Sequence, residues 1–178
     1  MNDETRRAAW TGGQGEFPQV RMRRLRQHPA MRDLVRETRL SAHDLILPLF
    51  VRYGRGKRVP ISSMPGQWQL SVDVLAEEVR EAAELGLRAA LLFGIPERKD
   101  AIGSAAWDDN GVVQQALRAL RDAVGDRLLL MADLCFCEYT DHGHCGVLSD
   151  RTGRRDVEND ATLENLCRQA VSLARAGA

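Results

Sequence analysis

The run RAALLFGI, residues 88–95, is apolar almost throughout and shows no alternation. A strand with one wet face alternates with period two, so an unbroken apolar run of this length predicts a strand covered on both faces, as in parallel sheets. Upstream, Val72, Leu75, Val79 and Ala82 recur at helical spacing between Ser71 and Leu85, and Gly86 stands where a C-terminal cap belongs. Downstream, beyond the loop PERKDAIGSAAWDDNG, Val113, Ala116, Leu117, Leu120 and Val124 mark a second amphipathic helix closed by Gly125. A buried strand between two such helices is the repeat of an α/β fold.

The pattern extends both ways. LILPLFV (residues 45–51) reads as a first strand, followed by the turn-rich YGRGKRVPISSMPGQW, read as a long loop. RLLLMADLCFC (residues 127–137) reads as a third core strand, and DATLENLCRQAVSLARAG as a third long helix, capped by Asp160 at its start and Gly177 at its end. Such units place functional loops at the C-terminal ends of the strands. A complete eight-stranded barrel takes roughly 250 residues, so three strands predict either a small open sheet or a partial barrel ending before a fourth strand.

The chain of 178 residues is 44% hydrophobic, enough for one domain with a substantial core. Lys+Arg and Asp+Glu balance at 25 each, so no overall field favours nucleic acid or an anionic membrane. No apolar run reaches the roughly 18 residues of a membrane span, and the N-terminus carries no signal-peptide core, which predicts a cytoplasmic protein. Residues 1–20 lack periodicity and read as a disordered leader, and residues 21–44, with seven arginines from Arg21 to Arg39, as an arm holding a short helix after Pro29. That arm lacks interleaved aromatics and carries Asp33 and Glu37, which argues against nucleic acid.

ADLCFCEYTDHGHCG, residues 132–146, holds three cysteines and two histidines. On a continuing strand Asp133, Cys135 and Cys137 would share one face, with Leu134 and Phe136 on the other. Tetrahedral zinc with bonds near 2.3 Å needs sulfurs roughly 3.8 Å apart, which same-face neighbours can reach by leaning together. A Cys135–Cys137 disulfide suits the spacing poorly, and cytosolic thiols stay reduced. Cys145 supplies a third thiolate if the loop folds back at Gly143 and Gly146. Three protein ligands with an exchangeable corner are the catalytic arrangement, whereas four, with His142 or His144 completing the set, would be structural. Cys167, well inside the third helix, reads as a small core residue.

DLCFCEYTDHGHCG resembles the zinc-ligand segment of the porphobilinogen synthase (5-aminolevulinate dehydratase) family, and so in family order do RMRRLRQHPAMRDLVRET, LILPLFV, PISSMPGQWQLS, LFGIPERKDAIGSAAWDDNGVVQQALRALR and VENDATLENLCRQAVSLARAGA. The resemblance runs from about Val20 to Ala178. It implies a (β/α)8 TIM barrel, of which residues 45–178 would be the first part, and a homo-octamer in which the arm embraces a neighbour. It implies Cys135, Cys137 and Cys145 as ligands of a catalytic Zn2+, Asp133 lining the active site, and condensation of two 5-aminolevulinate molecules into porphobilinogen for haem synthesis. It also implies two Schiff-base lysines on later strands. The only lysines, Lys57 and Lys99, lie in early loops and match neither, so the chain reads as an N-terminal half, inactive alone. The alternative is a structural zinc module or catalytically dead partner docking onto full-length synthase.

Overall fold

The computed structural model describes Pro18, Arg21, residues 23–151 and residues 153–178; the expected leader 1–20, Pro18 apart, and Met22 lie outside the described residues. The chain divides into two compact units, one ending at Leu40 and one spanning Ser41–Ala178. In the first, a short 3-10 turn, Arg24–Arg26, precedes helix α1 (Pro29–Leu34). Proline at the first helical position costs no hydrogen bond, and the His28 ring accepts from the Ala30 N–H (3.2 Å) to cap the end.

The second unit is a sheet with a helical layer. Its main strands are β1 (Ile46–Arg52), β2 (Arg58–Pro60), β3 (Trp68–Ser71), β4 (Ala89–Ile95) and β5 (Leu129–Ala132). Helices α2 (Val72–Glu84) and α3 (Val112–Val124) connect them, and a small antiparallel pair, β6 (Leu148–Ser149) and β7 (Asp156–Val157), leads to α4 (Asn159–Ala176). The strand order is β2-β3-β1-β4-β5, parallel except for β2. β1 and β4 pair along their whole length, Ile46 beside Ala89 through Arg52 beside Ile95.

Helix boundaries fall within a residue of expectation, and Gly86, Gly125 and Gly177 all take positive φ at the helix ends, where a side chain would be strained. The start of α4 differs: Glu158 is the N-cap residue, without a side-chain capping bond, and Asp160 sits in the first turn, where its charge suits the positive helix end. The turn-rich segment after β1 also differs from the expected loop. It forms the β2/β3 hairpin, fastened where the Lys57 and Ser71 backbones pair (3.0 Å) and the Ser71 hydroxyl accepts from the Lys57 N–H (2.9 Å).

All three long helices cover the same face of the sheet. Leu49 and Val51 of β1, Ala90 and Leu92 of β4 and Leu130 of β5 are buried against Leu75, Val79, Ala116, Leu117, Leu120 and Leu173. The alternate residues point away from the helices. Phe50 and Phe93 stack there (5.3 Å between ring centres), with Ile46 52% and Leu129 60% exposed. The expectation of strands buried on both faces thus holds for the helix side only. A doubly wound sheet places helices on both faces, so a one-sided layer is barrel-type construction, here without closure. Among the described residues no helix is long and apolar enough to cross a membrane.

Candidate metal centre

β5 is shorter than its apolar run. The Asp133 N–H still bonds to the Leu92 carbonyl (3.0 Å), but Ala132 is the last strand residue. The chain then turns: the Phe136 carbonyl accepts from the N–H groups of Tyr139 and Thr140, both at 2.8 Å. Phe136 causes the departure, because it enters a second small core with Ala106 and Tyr139 and meets Trp107 edge-on, 6.0 Å between ring centres. Trp107 ends a 3-10 helix, Ser104–Trp107, in the loop after β4.

The expected strand alternation is therefore corrected. Leu134 is 46% exposed while Phe136 is 1% exposed, so the two do not share an environment. The cysteines converge by another route, flanking the buried Phe136 so that both thiols emerge at the rim, Sγ atoms 3.3 Å apart. Gly143, at φ 74°, reverses the following turn and brings the Cys145 Sγ to 3.0 Å from that of Cys135. Beyond it Val147 N–H donates to the Thr162 hydroxyl (3.0 Å), which docks the turn on α4. Gln169 of α4, buried, donates to the carbonyls of Asp133 (3.4 Å) and Cys135 (3.3 Å) and straps down the other limb.

Among the described residues two groups can hold a metal ion: Cys135, Cys137 and Cys145, and the overlapping Asp133, Cys135 and Glu138, each with ligand atoms within 4.8 Å of one another. The sulfur separations of 3.3 and 3.0 Å are slightly under the roughly 3.8 Å edge of a tetrahedron with 2.3 Å bonds. A small spreading would seat a soft cation, and the donor set suits one. No disulfide links the four cysteines, and Cys167, expected in the core, is exposed. His142 and His144 stack on each other, 5.6 Å between ring centres, and neither belongs to a ligand group.

Burial pushes the Cys135 and Cys137 thiols up, with Glu138, which accepts from Cys137 Sγ at 3.3 Å, adding to the rise at Cys137. Burial and then the Glu138 charge push the half-buried Asp133 carboxyl up. A bound cation would invert this preference, since it binds the thiolate form and releases the protons. Glu138 and Gln169 have no counterpart among the residues expected from sequence. Lys57 and Lys99 are exposed, unlike a desolvated amine tuned for attack on a ketone.

The loop after β4 supports the cluster through Asp100. Its carboxylate accepts from the N–H groups of Ile102 and Ser104, both at 3.0 Å, and from the Ser104 hydroxyl. Burial pushes this carboxyl up, but the Ser104 hydroxyl and the N–H groups of Ser104, Ile102 and Gly103 together hold it below its ordinary value. A depressed folded pKa stabilises the fold above the unfolded value, about 3.9, and that stability drains away as the pH falls through the folded value. Asp100→Asn is therefore expected to lower the urea midpoint at pH 7, with the gap to the unaltered chain closing below about pH 4. A gap that is constant with pH would contradict this account.

A profile of the Delta-aminolevulinic acid dehydratase family matches residues 19–178. Delta-aminolevulinic acid dehydratase of Streptomyces coelicolor is 53% identical over 166 residues, 92% of this chain and 49% of that protein. The Staphylococcus epidermidis protein of the same name is 51% identical over 158 residues, 89% of this chain and 48% of its own. The chain thus spans about half the length of the curated relatives it matches. Among solved structures, delta-aminolevulinic acid dehydratase (porphobilinogen synthase) from Toxoplasma gondii ME49, in complex with the reaction product porphobilinogen, superposes with a TM-score of 0.81 at 40% identity, over 89% of this chain and 45% of that one.

Proposed function

Because this chain belongs to the delta-aminolevulinic acid dehydratase family, we propose that it supplies the metal-binding part of a porphobilinogen synthase, which condenses two 5-aminolevulinate molecules into porphobilinogen. The observation carrying this reading is the convergence of three sulfurs beyond the C-terminal end of β5, the end where barrel enzymes gather their catalytic groups. Cys135, Cys137 and Cys145 would hold Zn2+, which supplies Lewis acidity toward a substrate carbonyl or amine. Asp133, the residue after β5 and grouped with Cys135 and Glu138, would line the active site beside the metal and the substrate. On this reading the Schiff-base lysines come from later strands of the full-length synthase, which these 178 residues do not include. Residues 21–44 would form the arm of a homo-octamer; the exposed Leu25, Met31, Leu34 and Val35 suit such a contact.

The test is a chimaera joining residues 21–178 to the C-terminal half of the Streptomyces coelicolor relative. It is expected to form porphobilinogen from 5-aminolevulinate, to lose that activity to a chelator and to regain it with zinc, while the 178-residue chain alone forms none. A chimaera that folds and binds zinc yet makes no product, or turnover by the 178-residue chain itself, overturns the reading.

A further inference from the structure

Two of the three thiols belong to a turn anchored by the buried Phe136, but Cys145 is exposed and lies between two glycines, Gly143 and Gly146, outside any helix or strand. Its position depends on how its turn is tied to the rest of the molecule. The loop after β4 and the turn after β5 are laced by backbone, Asp100 N–H to the Tyr139 carbonyl (3.2 Å) and Asp141 N–H to the Asp100 carbonyl (3.1 Å). Past Asp141 the lacing passes to a side chain. His142 Nε2 lies 3.1 Å from the Ala101 carbonyl, and His142 Nδ1 lies 3.1 Å from the His144 N–H, next to Cys145.

The partners fix the imidazole's hydrogen. A carbonyl can only accept and an N–H can only donate, so Nε2 must carry the proton and Nδ1 the lone pair. One ring thus spans from the neighbouring loop to the backbone beside the third thiol, with both nitrogens engaged and neither left for a metal. Thr140, whose hydroxyl donates to the His144 carbonyl (2.8 Å), closes the same turn from inside. Without the ring, the turn keeps its Thr140 and Val147–Thr162 bonds but loses its tie to the loop after β4, and Cys145, exposed between two glycines, gains room to move.

We propose that His142 is the positioning residue for the third metal thiolate: as a fixed Nε2–H imidazole it clips the Cys145 turn to the loop after β4, and so sets the affinity of a site it does not ligate. This rests on Cys135, Cys137 and Cys145 being the ligands. Outer residues that hold a ligand in place typically change metal affinity by about 10- to 100-fold when removed.

The test is Co2+ titration of the reduced 178-residue chain, in competition with a chelator, reading the sulfur-to-cobalt charge-transfer band per bound ion. The unaltered chain is expected to show a three-thiolate band. His142→Ala is expected to bind about 10- to 100-fold more weakly, with the band per cobalt reduced by about one third, one sulfur of the three. Two conservative variants guard against a folding defect. His142→Gln keeps a donor near the Nε2 position for the Ala101 carbonyl, whereas His142→Asn keeps only an acceptor near the Nδ1 position. Gln should retain more affinity and more of the band than Asn. An unmoved His142→Ala, or Asn matching or exceeding Gln, overturns the inference while a normal wild-type band leaves the ligand reading standing. A wild type without a three-thiolate band overturns that reading and this inference with it.

Discussion

A chain in which Cys135, Cys137 and Cys145 are all alanine should carry no zinc, where the unaltered chain is expected to carry one ion per molecule. Four-ligand structural zinc sites bind with about 10–16 kcal/mol of apparent free energy at neutral pH, and here the sulfurs are the soft donors that the site offers. The remaining pair, Asp133 and Glu138, is two carboxylates, a far weaker set for zinc. None of the three cysteines belongs to either apolar core, so the triple variant should keep its fold and its far-ultraviolet circular dichroism. Elemental analysis of both purified proteins decides the matter, and equal zinc in the two would remove the ligand assignment.

Gly94→Ala should be strongly destabilising. Gly94 lies on the helix-facing side of β4, and a Cβ there would come within 2.1 Å of the Tyr139 hydroxyl oxygen and 2.7 Å of Val113 Cγ2. Neither neighbour can step aside cheaply, since Tyr139 is packed with Phe136 in the small core and Val113 is buried in the main one. Overpacking typically costs 1–3 kcal/mol, and with two buried neighbours displaced the cost should lie at or above about 3 kcal/mol. For a chain of this size that is a fall of roughly 6–12 °C in Tm. Because Tyr139 shares its turn with Cys137, zinc affinity should fall as well. An unchanged Tm and zinc affinity would refute the packing account.

Much of this was legible because local signals agreed with the tertiary outcome. In α2 and α3 the apolar stripe, the glycine cap and the buried face coincide, so period and punctuation suffice. The β2/β3 hairpin was not legible, since its short strands sit among Gly, Pro and Ser, whose turn chemistry outweighs a three-residue pairing. The end of β5 is hidden from the sequence for a different reason. ADLCFC reads the same whether it continues a strand or leaves one, and the choice is made by the distant Ala106 and Trp107, which offer Phe136 a better burial site. The three cysteines stood out as rare residues, and the turn brings them together anyway. Glu138 and Gln169 carried no such signal, because a carboxylate or an amide in a loop or helix resembles ordinary solvated surface until its partners are known.

A sheet clothed in helices on one side and bare on the other hides less apolar area per residue than a fully enclosed domain. The heat-capacity increment of unfolding, about 12–15 cal/mol/K per residue in ordinary globular proteins, grows with the apolar area exposed, as does the steepness of urea denaturation. With Phe50, Phe93 and Leu129 already meeting water in part, both quantities should be low for 178 residues. The stability dome of this chain should therefore be flat, and each kcal/mol removed from it should displace the denaturation midpoint further than it would in a closed barrel.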